Sequence, residues 1–148
     1  MSQLEFAFLI SDFYSSTIRL PCLLVPANSA LHTQNCQLLL DTGAGKSALT
    51  KEFLNRNGYG IYSKVGKNKM TASGEAEFHT CEVNDLTIAN QFKLGKMKFD
   101  VLQNWKTHSV VGLIGMDMLS QMTLILSHTH KKFLLTDQKL PELEQLFS

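Results

Sequence analysis

The sequence predicts a mostly β protein with one or two short helices, and three observations lead to this prediction. The chain has 148 residues, which is the usual length of one domain built around one core. Apolar residues make up 44% of it, which is enough to fill such a core. They occur in short alternating or continuous runs separated by turn residues, a pattern typical of strands.

The strands are predicted where these runs occur. Their ranges are 17–25, 35–40, 69–86 (a hairpin with its turn at 71–74), 86–88, 96–102, 110–114, 123–126 and 132–135. The last two are expected to pair with each other across the turn between them. A glycine at the end of the hairpin turn fits because glycine adopts positive φ at little cost.

Short helices are predicted from the residues that begin and end them. The first spans 50–56, where Thr50 is a suitable N-cap and Gly58 can adopt the left-handed conformation that ends a helix. Residues 116–121 are expected to form one helical turn or more. Pro141 can begin a last short helix, because proline is tolerated in the first helical turn.

Charge and apolar patterning exclude several classes of function. Lys and Arg number 14 and Asp and Glu 13, for a net charge of +1, so we expect no binding to nucleic acid or to a membrane. No apolar run approaches the ~20 residues that span a bilayer, and the first residues lack the basic region of a signal peptide. Cys22, Cys36 and Cys81 lack CxxC spacing, which indicates reduced thiols in a cytoplasmic protein.

One motif suggests nucleotide binding, but its spacing is wrong. Gly45, Lys46 and Ser47 match the end of the phosphate-binding loop GxxxxGK[ST]. The first glycine of that loop would fall at position 40, which is Leu40. No long helix is predicted after the motif, so nucleotide binding is the weaker interpretation of this segment.

Asp41 stands out because it directly follows an apolar triplet, Leu38–Leu40. An acid at the end of a core strand needs a partner or a function, since burial of a lone charge is costly. Taken alone, Asp41-Thr42-Gly43 is also typical of a turn capped by an aspartate. A second segment changes the balance, because residues 110–121 contain an apolar run that ends at Gly115 and is followed by Asp117.

Together the two segments resemble the retropepsins, the single-domain aspartic proteases of retroviruses and their cellular and bacterial relatives. That family pairs an apolar triplet and Asp-[Thr/Ser]-Gly-Ala, here Leu38–Ala44, with a later apolar-apolar-Gly-x-[Asn/Asp]-apolar-Leu segment, here Leu113–Leu119. The turn between them resembles the flap of the family; its residues are Thr71, Ala72, Ser73 and Gly74. The resemblance covers about residues 17–135 and implies one domain over 1–148 with a C-terminal tail at 136–148.

The resemblance implies a closed antiparallel β barrel and the activity of an aspartic endopeptidase. Such an enzyme needs two carboxylates that share one proton and activate one water. This chain has only one Asp-[Thr/Ser]-Gly, so a homodimer is expected to supply Asp41 twice. The expected substrate is an extended peptide or unfolded segment bound as a strand. No cofactor and no metal are expected, and the pH optimum should be acidic because one acid of the pair must keep its proton.

The resemblance also implies roles for the residues near Asp41. Thr42 would hydrogen-bond across the two-fold axis, Gly43 would allow close approach, and Ala44 would line the floor beside the substrate. The flap turn at 71–74 would close over the peptide, while Leu113, Ile114 and Gly115 would support the Asp41 loop from behind. Asp117 is expected to accept backbone N–H groups at the start of a short helix.

The sequence departs from the retroviral members of the family at two positions, and two alternative functions are left open. Gly45 and Met116 stand where retroviral members have an acid and an arginine that pair, so both partners of that ion pair are absent together. A retropepsin-like module that binds peptides or proteins without cutting them is the main alternative. His128 and His130 lie two residues apart, as two ligands of a metal site can, but no third ligand is indicated and a polar turn is favoured.

Overall fold

The structure is a computed structural model that describes residues 8–12, 17–27, 33–60, 63–64, 69–71, 74–76, 79–103 and 109–147. Ala72 and Ser73 of the predicted flap turn lie outside these ranges. So does Ser148, the last residue of the predicted tail.

Strands dominate the described part of the chain. They are β1 (Phe8–Asp12), β2 (Arg19–Leu24), β3 (Gln34–Leu40), β4 (Ala48–Thr50), β5 (Ser63–Lys64), β6 (Lys69–Thr71), β7 (Gly74–Ala76), β8 (His79–Val83), β9 (Leu86–Ile88), β10 (Phe92–Lys93), β11 (Met97–Leu102), β12 (Gly112–Ile114), β13 (Thr123–Ser127) and β14 (Lys132–Thr136). The helices are α1 (Lys51–Arg56), α2 (Met116–Leu119) and α3 (Pro141–Leu146). The mostly β prediction is therefore confirmed.

The main sheet is curled and mixed, with the strand order β10-β9-β2-β3-β12-β4-β11-β8-β5. Most neighbours are antiparallel, but β3 and β12 run parallel, as do β4 and β11. The expected closed barrel is instead an open half-barrel, because β10 and β5 are not paired with each other in the described part. The two parallel pairings bring together segments that are far apart in sequence, which short-range patterns do not reveal.

A second sheet has the order β1-β14-β13. The predicted pairing of 123–126 with 132–135 is confirmed by the antiparallel register of β13 and β14, in which Leu124 lies opposite Leu135. β1 was not predicted; it pairs antiparallel with the other edge of β14. The predicted tail helix is present as α3, and it has no buried residue.

The core lies on one face of the main sheet and under α1. β2 contributes alternate residues to it, and Leu20 and Leu24 are completely buried. The predicted cap of α1 is confirmed, because Thr50 Oγ1 accepts a hydrogen bond from Phe53 N at 3.2 Å. Gly58, with φ of 80°, has the predicted left-handed conformation after the helix. No helix in the described ranges has both the length and the apolar character needed to cross a membrane.

Gly112 permits the close approach of β12 and β4. A Cβ atom at this position would overlap the carbonyl oxygen of Ala48 and lie 3.0 Å from Leu49 Cα. Both are backbone atoms of a central strand, so neither can move aside as a flexible side chain would. Gly112 is therefore required by packing between the strands that lie behind the Asp41 loop.

We expect Gly112→Ala to lower the free energy of unfolding by about 1–3 kcal/mol through this overlap, measured by urea denaturation. Gly45→Ala is the matched control, because a Cβ at Gly45 would meet nothing within 4 Å. Equal stability of the two variants would contradict the assignment.

Candidate active site

Asp41 begins the loop that follows β3. Its backbone N–H donates to Ile114 O at 2.9 Å, which continues the hydrogen bonding of β3 with β12 past the last strand residue. Its carboxylate Oδ1 accepts from Gly43 N at 3.0 Å, and Ala44 N donates to Asp41 O at 3.2 Å. The turn at an aspartate that the sequence allowed is thus present. It presents a half-buried carboxylate at the end of an apolar strand.

The Asp41 carboxylate has little local compensation for its charge. Apart from Gly43 N, no group among the described residues donates a hydrogen bond to it, and no described Lys, Arg or His forms an ion pair with it. Thr42 and Gly43 beside it are exposed, and Ala44 is half-buried. The carboxylate therefore retains acceptor capacity that a substrate, a water or a second carboxyl group can use.

The two predicted segments lie side by side, as the resemblance implied. β3 and β12 are parallel neighbours, with Leu39 opposite Leu113 and Leu40 opposite Ile114. Ile114 is completely buried beneath the turn. The structure thus brings Leu113, Ile114 and Gly115 directly behind Asp41.

Gly115 marks the place where the loop packs against the start of α2. A Cβ atom here would lie 2.7 Å from Ala44 O and 2.8 Å from Lys46 O. Next to it, Met116 N donates to Ala44 O at 2.7 Å and Asp117 N donates to Gly45 O at 3.1 Å. The Asp41 loop is therefore tied to the helix start by backbone hydrogen bonds that require close approach.

Asp117 holds the loop from the other side. Its carboxylate accepts from Met118 N at 2.9 Å, which confirms the predicted acceptance of backbone N–H groups at the helix start. The same carboxylate also accepts from Ser47 N at 3.0 Å and from Ser47 Oγ at 2.7 Å. Ser47 Oγ in turn accepts from Gly115 N at 2.9 Å, so the side chains of Ser47 and Asp117 join the end of the Asp41 loop to residues 115–118.

Ser47 is a residue whose role was missed by sequence reasoning. The local sequence around Ser47 matches only the end of the nucleotide-binding motif, and its role depends on Asp117, 70 residues later. In the structure its N–H is bound to a carboxylate, and β4 rather than a helix follows it. A phosphate group would meet the negative charge of Asp117 here, so the geometry disfavours nucleotide binding.

The predicted hairpin over residues 69–86 is present only in its first part, because β8 pairs with β11 and β5 in the main sheet instead of continuing the second arm. β6 and β7 are antiparallel, with Thr71 opposite Gly74. Ala72 and Ser73, the central residues of the predicted flap turn, lie outside the described ranges.

The histidines of the β13–β14 turn are exposed. His130 Nδ1 lies 2.6 Å from Ser127 Oγ, consistent with the favoured polar turn. Within the described ranges, no group of three or more His, Cys, Asp or Glu residues is arranged to hold a metal ion.

Comparison with known proteins identifies the class. Residues 27–121 match the family model described as "gag-polyprotein putative aspartyl protease", and no curated protein matches the sequence significantly. Among solved structures, a retropepsin-like aspartic protease from Rickettsia conorii is similar over 86% of this chain and 97% of its own, with 20% identity and a TM-score of 0.62. The retroviral protease-like domain of Ddi1 from Leishmania major is similar over 87% of this chain and 98% of its own, with 19% identity and a TM-score of 0.54.

The fold and the paired segments therefore define a retropepsin-like protein. Since the family model matches more than half of the chain, the chain belongs to the retropepsin-like aspartic protease family. The structural similarities, at 20% and 19% identity, support the fold.

The buried hydroxyl of Ser47 allows a test of how the loop is held. We expect Ser47→Ala to lower the free energy of unfolding by about 1–3 kcal/mol, because Gly115 N and the Asp117 carboxylate each lose a partner in a buried site. Urea denaturation measures the loss. Ser120→Ala, at an exposed position after α2, is the control, and a similar loss in both variants would contradict this role for Ser47.

Proposed function

We propose that two copies of this chain form an aspartic endopeptidase in which Asp41 of each copy contributes one carboxylate to a shared site. One observation carries the proposal: a family-typical Asp-Thr-Gly loop presents a half-buried carboxylate with free acceptor capacity, and the loop is fixed from behind by β12 and α2. Membership of the protease family supports the reaction type. Each chain would act as one domain, with residues 17–135 as its core.

A second copy is needed because one chain offers only one such loop. The other aspartates are Asp12, Asp85, Asp100, Asp117 and Asp137, and none is followed by Thr-Gly or Ser-Gly. Asp117, the nearest to the loop, is occupied by Ser47 and by backbone N–H groups. A two-fold axis beside Asp41 supplies the second carboxylate in the simplest way, since closed two-fold dimers are the commonest oligomers.

The proposed reaction follows from the requirements of the paired acids. Two carboxylates ~3 Å apart share a proton because both cannot ionise at that distance. The ionised group takes a proton from a water bound between them, and the protonated group donates a hydrogen bond to the scissile carbonyl. The water oxygen attacks that carbonyl, and proton return to the amide nitrogen releases the two peptide products without a covalent enzyme intermediate.

The substrate is an extended peptide or an unfolded protein segment. The exposed Thr42 and Gly43 leave space next to Asp41 for a peptide backbone, and Ala44 lies at the floor beside it. The β6–β7 hairpin acts as the flap in this proposal, closing over the peptide and excluding water. Cleavage needs no cofactor, and the three free thiols support a reducing compartment, the cytoplasm.

The exposed edge of β13 is the surface at which we place the second copy. In the described part β13 is the outer strand of its sheet, and Ile125 and Leu126 are 40% and 42% exposed. β13 contains no charged residue that would discourage edge pairing. It follows closely after α2 in the sequence, and Met116 of that helix donates a hydrogen bond to Ala44 O in the Asp41 loop, which supports placing the second copy at this edge.

Asp41→Asn tests the chemistry directly. The variant keeps the shape of the side chain but cannot ionise, so cleavage of a denatured protein mixture should fall by about 10³-fold or more. Mass spectrometry of the new peptide ends, from acidic to neutral pH, measures the loss. Asp137→Asn, at an exposed position outside the site, is the control and should retain activity.

Two outcomes would overturn the proposal. Equal cleavage by the wild type and by Asp41→Asn would show that another group cuts. If neither protein cleaves under any condition while both bind the same extended peptides, the chain is a peptide-binding module instead.

Ile125→Lys tests the proposed dimer surface. A lysine on each copy would place like charges opposite one another across the axis, so the dimer should weaken and specific activity should fall steeply on dilution. Sedimentation and activity are measured over the same concentration series. Leu146→Lys is the matched control, because Leu146 is 75% exposed on α3. Full activity of a monomer at high dilution would contradict the dimer.

A further inference from the structure

Two of the three cysteines face each other across the β2–β3 pair. The antiparallel register places Cys22 directly opposite Cys36, and both are free thiols. Opposite residues in an antiparallel pair point to the same face, with Cβ atoms about 4.5–5.5 Å apart. Their neighbours in the register, Leu20 and Leu38, are buried, so the two thiols point toward the core face.

The two thiols differ in access. Cys22 is 4% exposed and its Sγ–H donates to Leu20 O at 3.4 Å, whereas Cys36 is half-buried near the end of the pair where the chain connects β2 to β3. The pKa of the Cys22 thiol is raised well above its ordinary value. The larger cause is a hydrogen bond with the Cys36 side chain, and the second is burial. The opposed register places the two thiols side by side on the same face of the sheet. Cys36 is the one that a reagent from solution meets first.

The third cysteine provides an internal contrast. Cys81 is 3% exposed and lies opposite Phe99 in the β8–β11 register, with no thiol across from it. Burial also raises its pKa. An oxidant that reached Cys81 would find no neighbouring thiol to complete a disulfide in the described part of the chain.

We propose that Cys22 and Cys36 are a redox-reactive pair that converts oxidation by a peroxide into a reversible intramolecular disulfide. Cys36 releases its proton, its thiolate attacks one oxygen of the peroxide, and the O–O bond breaks; the leaving hydroxide takes up the released proton to form water, and Cys36 becomes the sulfenic acid. The Cys22 sulfur then attacks the Cys36 sulfur, and the hydroxyl group leaves as a second water with the Cys22 proton. Two thiols are oxidised and one peroxide is reduced to two waters.

The pairing protects the strand that carries Asp41. Cys36 lies five residues before Asp41 on β3, and without a neighbouring thiol its sulfenic acid would proceed to the irreversible sulfinic acid. A sulfinate would put a negative charge at the edge of the core on this strand. Disulfide formation must draw the opposed Cβ atoms to about 3.8 Å, so the bond is strained and easily reduced again.

The test uses the full chain, reduced and then exposed to hydrogen peroxide, with the intact mass measured before the remaining thiols are alkylated for peptide mapping. Intact mass should show a loss of about 2 Da for two hydrogens, and a nonreduced peptide map should show one crosslink joining the peptides of Cys22 and Cys36. Dithiothreitol should restore the starting mass. Cys81→Ser should behave as the wild type, which assigns the crosslink to the opposed pair.

Single variants of the pair test whether Cys22 protects Cys36 from irreversible oxidation or whether Cys36 merely reacts with peroxide. In Cys22→Ser we expect no crosslink and a gain of about 32 Da at Cys36, for two oxygens, that dithiothreitol does not reverse. Cys36→Ser should remain largely unoxidised at Cys22, because that thiol is buried. Cys36 is the less buried position, so this variant keeps the test valid if Cys22→Ser fails to fold, as judged by circular dichroism.

Three results would overturn the proposal. They are crosslinks between separate chains, irreversible oxidation of Cys36 in the wild type, and full alkylation of both thiols after peroxide treatment. None of these readouts depends on protease activity, so a failure here leaves the proposed function standing, and the reverse holds as well.

Discussion

The structure depends on one contact, the parallel pairing of β3 with β12 that places the Asp41 loop against the start of α2. Asp41 N donates a hydrogen bond to Ile114 O. Gly115 has no Cβ atom, so the backbone of the Asp41 loop can pack directly against it. The Ser47–Asp117 hydrogen bonds close the other end of the loop. A carboxylate used for catalysis must be held in a fixed position, and here nearly every restraint on the loop comes from a segment distant in sequence.

This arrangement also separates the two acids of the region by task. Asp117 accepts several hydrogen bonds from the chain, which satisfies its charge locally and makes it a structural acid. Asp41 accepts one from Gly43 N and keeps its remaining acceptor capacity toward solvent. The difference in hydrogen bonding, rather than the residue type, distinguishes the proposed catalytic acid from the positioning one. Gly45 and Met116 cannot form an ion pair with each other. The two segments that contain them are joined instead by backbone hydrogen bonds.

The β2–β3 pair has two proposed roles, which lie toward opposite ends of its strands. At one end it delivers Asp41 to the loop, and toward the other it holds the opposed thiols Cys22 and Cys36. A chemical change on β3 is therefore close to the site along a rigid strand, whereas Cys81 lies on another strand against Phe99.

The mostly β character, the α1 cap at Thr50 and the pairing of β13 with β14 are readable from the sequence, because each depends on residues within a few positions of one another. The Asp41 loop is recognisable for a different reason, since its motif occurs together with a second motif at residues 113–119. The open, mixed character of the main sheet and the pairing of β1 with the second sheet are seen only in the tertiary structure. Ser47 likewise acquired its role as the partner of Asp117 only there. These features depend on hydrogen bonds between distant segments, and local periodicity contains no information about which strands become neighbours.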